Sequence, residues 1–257
     1  MKIGLIGFGK TGKAVANVIL HCKEFSLEWV IRKSSTLENR SIGEFLGIDT
    51  PNNGKIYSME HIDIAEFLDK NPVDFIIDFS INTVIYTYGK IAAQRGIKII
   101  SAISHYNVEE IAHLNELAII TTVFWSPNIT LGVNYLLFAG KFLKKIAPFV
   151  DVEVIEEHFK EKKGVSGTAI KIAEALEVNI SDINSVRAGG IVGKHEVIFG
   201  FPYQTVRLIH ESISREAFGN GVIFAAQNLI NKGNGMYTFE DILLPYFTLN
   251  EQEKATF

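Results

Sequence analysis

The feature that most constrains this chain lies in its first twenty residues. Lys2-Ile3-Gly4-Leu5-Ile6 is a short apolar run, Gly7-Phe8-Gly9-Lys10-Thr11-Gly12 interrupts it, and Ala14, Val15, Val18 and Ile19 follow at helical spacing. A glycine triplet alone is common. Placed directly after a strand and opening a helix it has a mechanism, because the glycines permit a tight turn and the helix N-terminus receives a pyrophosphate. We read a dinucleotide site in preference to a turn needed only for packing. The end of the second strand, expected at 27–31, then selects the dinucleotide. An acidic residue about 20 positions after the glycines would take the 2'-hydroxyl of NAD. That region instead holds Ile31, Arg32 and Lys33, followed by Ser34 and Ser35. Two cations and two hydroxyls suit a 2'-phosphate through charge-assisted hydrogen bonds. NADPH is expected, with NADH as the alternative if Arg32 and Lys33 are only a solvated turn.

Further apolar runs at 73–77, 97–100 and 119–124 alternate with helices expected at 82–95 and 107–117, and the first of these runs ends at Asp78-Phe79-Ser80. Strands alternating with helices imply a parallel sheet covered on both faces. The pattern changes after Pro127. A long apolar helix at 131–146 leads to a half-exposed strand at 151–158, then to strands expected at 184–191, 194–200 and 204–213 with short connections. The expected fold is therefore α/β: a Rossmann-type doubly wound parallel sheet, plus an α+β substrate domain with an open mixed sheet. The boundaries expected are 1–127 for the dinucleotide-binding domain, 128–237 for the substrate domain and 238–257 for a returning C-terminal segment. Thr238-Phe239-Glu240-Asp241 has the spacing of a capping box at the start of that segment. The stretch holding Gly47, Pro51, Asn52, Asn53 and Gly54 is read as a connection within a domain.

Composition excludes several classes. A length of 257 residues allows one large domain or two ordinary ones, and 47% hydrophobic with 21% charged residues is too apolar for disorder. No uncharged run is long enough for a membrane span. A formal charge of -4 provides no bulk cationic field for nucleic acid or an anionic membrane, so neither is expected as a partner. A single cysteine, Cys22, excludes an internal disulfide and a cysteine metal site. The N-terminal apolar run is cut by glycines and is shorter than the core of a signal peptide. A cytoplasmic location without a metal is expected.

The second half carries a compact group of reactive residues. His158 closes a strand, Phe159-Lys160-Glu161-Lys162-Lys163-Gly164-Val165 follows, and Ser166-Gly167-Thr168-Ala169 opens a helix. A helix start with two hydroxyls and free N–H groups suits a carboxylate or phosphate. Lys162 is near enough in sequence to add a full charge, and His158 can exchange a proton near neutral pH. Singly, each has a plainer explanation: an N-cap, a solvated lysine loop, a structural histidine. Crowded into eleven residues beside a dinucleotide domain, they read as an anion-binding catalytic loop.

These residues resemble the 4-hydroxy-tetrahydrodipicolinate reductase family, long called dihydrodipicolinate reductase, over nearly the whole chain. The resemblance runs in order through the glycine turn, Asp78-Phe79-Ser80, Pro127-Asn128, Gly132-Val133-Asn134, Glu156 to His158, Lys162 and Ser166 to Ala169. It continues through Arg187-Ala188-Gly189-Gly190-Ile191-Val192-Gly193-Lys194-His195-Glu196, Arg215 and Phe218 to Gly221. It implies NAD(P)H-dependent reduction of a cyclic unsaturated dicarboxylate in lysine and diaminopimelate biosynthesis, by a homotetramer built through the substrate-domain sheet. His158 would be the proton donor, assisted by Lys162, and Ser166, Gly167 and Thr168 would grip a carboxylate. The cofactor would meet Gly7, Phe8, Gly9, Lys10, Thr11, Gly12, Arg32, Lys33, Phe79, Ser101, Ile103, Ser126 and Asn128. The last segment would return to pack a helix on the nucleotide domain.

The chain departs from the family pattern at three places. Ser101-Ala102-Ile103-Ser104 replaces Gly-Thr-Thr-Gly, Phe159 takes the substrate-binding position of the second histidine in a His-His pair, and the loop between Lys162 and Ser166 is one residue shorter. A lost hydrogen bond of this kind costs about 0.5–3 kcal/mol, which fits a weaker activity or a shifted substrate better than a dead site. Two alternatives stay open on the residues: reduction of another small imine or unsaturated carboxylate, and a non-catalytic nucleotide-binding regulator.

Overall fold

A computed structural model describes residues 1–52 and 54–247 and divides the chain into two compact units. The first holds Met1–Thr130 and everything from Phe218 onward; the second is Leu131–Ala217.

In the first unit, β1 (Lys2–Ile6) and α1 (Lys10–His21) are followed by β2 (Ser26–Arg32), α2 (Ile42–Leu46) and β3 (Lys55–Ser58). Next come α3 (Ile64–Lys70), β4 (Phe75–Asp78), α4 (Ile85–Gln94), β5 (Lys98–Ser101), α5 (Val108–Ile120) and β6 (Thr122–Trp125). The second unit contributes α6 (Leu131–Ile146), β7 (Asp151–His158), α7 (Gly167–Ala175), β8 (Asn184–Arg187), β9 (Lys194–Phe201) and β10 (Gln204–Glu211). The chain then returns through α8 (Glu216–Leu229), β11 (Gly235–Tyr237) and α9 (Phe239–Leu243).

Seven strands form one sheet in the order β11-β6-β5-β4-β1-β2-β3, and every pairing is parallel. Apolar residues on both faces of each strand explain the burial of helices on both sides. Ile6, Ile31, Ile76, Ile99 and Val123 share a cluster with Phe67, Tyr88 and Leu114 of α3, α4 and α5. Phe124 points the opposite way from Val123 and packs edge-on against Phe239 of α9, 5.2 Å between ring centroids. On α8, a Cβ at Gly219 would lie 2.5 Å from that of Val18, so glycine is what lets α8 press onto α1. Because the chain runs outward from β1 to β3 and resumes at β4 on the other side of β1, the strand order switches between β1 and β4, where such sheets bind ligands.

The second unit has a four-stranded mixed sheet, β10-β9-β7-β8, parallel between β7 and β8 and antiparallel elsewhere. Val154, Val197 and Phe199 pack on one face against Ile172, Ala173 and Leu176, with Leu136 of α6 in the same cluster.

The fold class agrees with the expectation, and several boundaries differ from it. The chain re-enters the first unit at Phe218, well before the boundary expected at 238, because the small face of α8 fits α1. Of the expected segment 238–257, residues 248–257 lie outside the described residues, as does Asn53 of the expected connection. Asp241 accepts hydrogen bonds from the Thr238 backbone (2.8 Å) and hydroxyl (2.7 Å), as the capping spacing requires. The strand expected at 184–191 stops at Arg187, and the chain turns through Gly189 at φ +48°. In the run 119–124, Ile119 and Ile120 end α5 instead of starting β6. β3 had no visible signal, since a four-residue edge strand is too short to show a period.

Gly4 of β1 faces the buried Trp29 ring, and a Cβ there would come within 2.1 Å of it. Gly4→Ala is expected to destabilise the protein by about 1–3 kcal/mol through overpacking, read as a lower urea midpoint with little change in slope.

Candidate active site

The three motif glycines do different work. Gly7 has φ +96°, and a Cβ on it would lie 2.5 Å from the Phe79 carbonyl carbon and 2.7 Å from Ser80 N. A Cβ on Gly12 would lie 1.9 Å from Gly7 O. These two close the turn onto itself and onto the end of β4. A Cβ on Gly9 would meet nothing within 4 Å, and Gly9 caps α1 without any side-chain hydrogen bond. The first N–H groups of a helix have no partner within it, so this open space beside them fits a pyrophosphate.

A cleft of about 540 Å³ opens there, lined by Gly7, Gly9, Ile31, Arg32, Lys33 and Phe79 among others. Arg32 ends β2 and Lys33 follows it at the mouth of this cleft. Ser34 also lines the cleft, although its hydroxyl pairs with that of Thr36 at 2.9 Å. Glu38, the next carboxylate along the chain, is 2.6 Å from His61 Nδ1 and also accepts from Ser58 N. Phe8 is buried against Phe45, so its backbone is what belongs to the turn, while Lys10 is exposed at the start of α1.

A second cleft, about 490 Å³, is lined by Thr11, Phe79, Ala102, Ile103, Pro127 and Phe218. Ile103 is buried, and its carbonyl accepts from the Trp125 indole at 2.9 Å. The Ser101 hydroxyl pairs with Tyr106 OH at 2.8 Å, Ser126 Oγ donates to Asn128 O at 2.7 Å, and Asn128 Oδ1 accepts from Thr130 N and Oγ1. Ser101, Ser126 and Asn128 thus spend these polar groups on shaping the loops. Asp78, fully buried at the end of β4, accepts from Tyr88 OH (2.9 Å), Ser80 N (2.8 Å) and Ser80 Oγ. Burial pushes its carboxyl up to about 6 against those hydrogen bonds.

The second unit holds His158, Lys162 and the helix start at Ser166. His158 ends β7, with its Nδ1 hydrogen-bonded to Oε2 of Glu156, two residues back on the same face of the strand. Glu156 has no exposure; its Oε1 accepts from Arg187 Nη2 and from Ser185 Oγ at 2.7 Å. Burial would raise the Glu156 carboxyl, but the bonds from Arg187, Ser185 and His158 outweigh it and bring it down to about 2. Burial holds the His158 imidazole below its usual 6.5 in spite of the Glu156 charge. With Nδ1 committed to a carboxylate, Nε2 is the nitrogen that exchanges protons. A Cβ on Gly193 would lie 3.0 Å from that Nε2, so glycine keeps this face uncrowded.

Ser166 is the N-cap of α7: its hydroxyl accepts from Ala169 N and pairs with His195 Nε2, both at 3.0 Å. Ser166 is only 4% exposed, Thr168 is half-buried and Gly167 is exposed at this helix start. His195 stands edge-on to His158, 5.4 Å between centroids, and burial pushes it down to about 4. Lys162 is half-buried in the loop, and Phe159 is 41% exposed.

Models of the N-terminal and C-terminal parts of dihydrodipicolinate reductase match residues 1–129 and 132–243. The chain belongs to the dihydrodipicolinate reductase family. It is 32% identical to the 4-hydroxy-tetrahydrodipicolinate reductase of Caldanaerobacter subterraneus subsp. tengcongensis, covering 91% of this chain and 94% of that protein. It is 29% identical to the enzyme of the same name from Polynucleobacter necessarius, over 95% and 98% of the two chains. The dipicolinate-bound dihydrodipicolinate reductase of Paenisporosarcina sp. TG-14 shares the fold, with a TM-score of 0.78 at 18% identity over 94% of this chain and 98% of that one. Membership of this reductase family, with this fold, implies a nicotinamide cofactor, and the open cradle at Gly9 fits one.

Glu156, Arg187, Gly193 and His195 lie within the family motifs, and the sequence alone gives them no role. The i, i+2 spacing of Glu156 and His158 was a readable signal; the placement of Arg187 needed the β7–β8 register. Because a Cβ at Gly9 would meet nothing within 4 Å and its φ of -77° suits any residue, Gly9→Val is expected to cost only the small N-cap preference for glycine in thermal stability while weakening nicotinamide-nucleotide binding about tenfold or more by titration calorimetry.

Proposed function

We propose that this chain is an NADPH-dependent 4-hydroxy-tetrahydrodipicolinate reductase of lysine and diaminopimelate biosynthesis. The observation that carries the reading is the buried His158–Glu156 pair in the same unit as the α7 N-terminus, in a chain whose other unit holds a dinucleotide cradle. When bound, the reduced nicotinamide supplies a hydride. The protein's own groups supply the rest. Glu156 fixes the ring of His158 and keeps a proton on Nδ1, so the protonated ring delivers its Nε2 proton to the carbon next to the one reduced. Lys162 and the N–H groups of Gly167 and Thr168 hold the substrate carboxylates. Ile103 and Phe159 present apolar surface where the family has hydrogen-bonding groups.

The basic end of β2 supports NADPH over NADH, since Arg32 and Lys33 line the cleft and Glu38 is engaged elsewhere. A homotetramer is supported by the sheet of the second unit, where Ile209 of β10 and Val186 of β8 are exposed apolar residues. No helix among the described residues is long and apolar enough to cross a membrane, and those residues contain no cluster suited to a metal ion.

The test mixes purified protein with NADPH and freshly generated substrate and follows the absorbance of the reduced cofactor; no oxidation at high enzyme concentration would overturn the reading. If NADPH still bound, a panel of cyclic imine acids would separate a shifted substrate from a binding protein. His158→Ala is expected to lower turnover about 10²–10⁴-fold with cofactor affinity unchanged. Since only protonated His158 donates, kcat/KM should fall as pH rises through a value below 6.5, and this limb should vanish in the variant. Arg32→Ala should weaken NADPH about tenfold or more, the worth of one charge-assisted hydrogen bond, and leave NADH nearly unaffected.

A further inference from the structure

One guanidinium in the second unit reaches two parts of the site at once. Arg187 Nη2 donates to Glu156 Oε1 and to Gly164 O at 2.6 Å, Nε donates to Lys162 O at 3.1 Å, and Nη1 donates to Val186 O at 2.8 Å. The β7–β8 register places Arg187 opposite His158 and Ser185 opposite Glu156. The loop from Phe159 to Val165 has few other hydrogen bonds: Lys160 N donates to Gly189 O and Lys162 N to Phe159 O, Gly164 turns at φ +65°, and Val165 packs on the core at its far end. Lys162 and Gly164 thus both rest their carbonyls on the arginine that also neutralises the carboxylate behind His158.

We propose that Arg187 is a positioning residue that couples the orientation of the proton donor His158, through Glu156, to the placement of the Lys162 loop. This rests on the reading of His158 as proton donor and Lys162 as carboxylate ligand. A guanidinium suits the task because its donors are fixed in a planar fork. Lysine at this position keeps the charge and cannot hold the carboxylate and both carbonyls together. Glu156 is buried, so loss of Arg187 leaves its charge shared between Ser185 and His158. The charged and titratable groups around His158 are Glu156 on β7, Lys162 in the loop, Arg187 on β8 and His195 on β9. Of these, Glu156 favours the protonated ring, whereas Arg187 and Lys162 oppose it.

The experiment is an NMR titration of the His158 ring in the full chain without substrate, joined to steady-state kinetics. Arg187→Ala should raise the His158 midpoint by about one unit, the scale of a single nearby charge, and Glu156→Gln should lower it. Arg187→Lys should leave the midpoint near that of the wild type and still raise KM for the dicarboxylate severalfold, with KM for NADPH unchanged. Any charge near His158 would move the midpoint, whereas a residue that acted only as a charge or only stabilised the fold would leave the dicarboxylate KM unchanged in the lysine variant. An unchanged midpoint in Arg187→Ala, or an unchanged dicarboxylate KM in Arg187→Lys, overturns the proposal. Should the alanine variant fail to fold, the lysine variant decides alone. If wild-type protein shows no turnover while the midpoints move as expected, the proposed reaction is refuted and the coupling between Arg187 and His158 stands.

Discussion

The main chain of β1 and that of β4 come so close at their C-terminal ends that only a residue without a side chain fits between them. Gly7 meets that constraint, in a backbone conformation that other residues rarely adopt, and Gly12 meets the matching one where α1 crosses back over the turn. From this contact follow the direction of α1, the open space at Gly9 and the cleft at the switch in strand order. Asp78 reinforces it from the other side by tying Ser80 and Tyr88 to the end of β4. The turn is thus a product of close packing at Gly7 and Gly12, with open space left at Gly9.

The second unit is organised by a different constraint, a buried negative charge. Glu156 is fully enclosed, and a carboxylate there is tolerable only because Arg187, Ser185 and His158 surround it. That requirement selects the ring nitrogen of His158 that stays protonated. It also places an arginine within reach of the loop carbonyls of Lys162 and Gly164. His195 adds a second imidazole held neutral by burial, whose Nε2 pairs with the N-cap hydroxyl of α7.

Much of this was legible in one sequence, and the reasons differ by residue. The glycine turn, the basic end of β2 and the Ser166-Gly167-Thr168 helix start are local patterns whose chemistry depends on neighbours within a few residues. Glu156 was equally readable, since alternation along a strand puts it on the face of His158. β3 and the early end of β8 were hidden, one by brevity and the other because apolar Ile191 and Val192 continue a strand-like pattern into a turn. The pairing of the Ser166 hydroxyl with His195 was hidden because His195 comes from a distant strand. The early return of the chain at Phe218 also lay beyond local pattern, depending on a small face of α8 that gains meaning only against Val18 of α1.

The sequence by itself determined the two kinds of sheet, the cofactor class and the residues able to carry a proton and bind an anion, because strand period, turn glycines and side-chain chemistry are properties of short segments. Tertiary structure decided which hydroxyls are spent on loops and which nitrogen of His158 is committed. It also brought Arg187 onto both the Glu156 carboxylate behind His158 and the Lys162 loop. Those outcomes depend on strand register and burial, which arise only when segments distant in the chain are packed together.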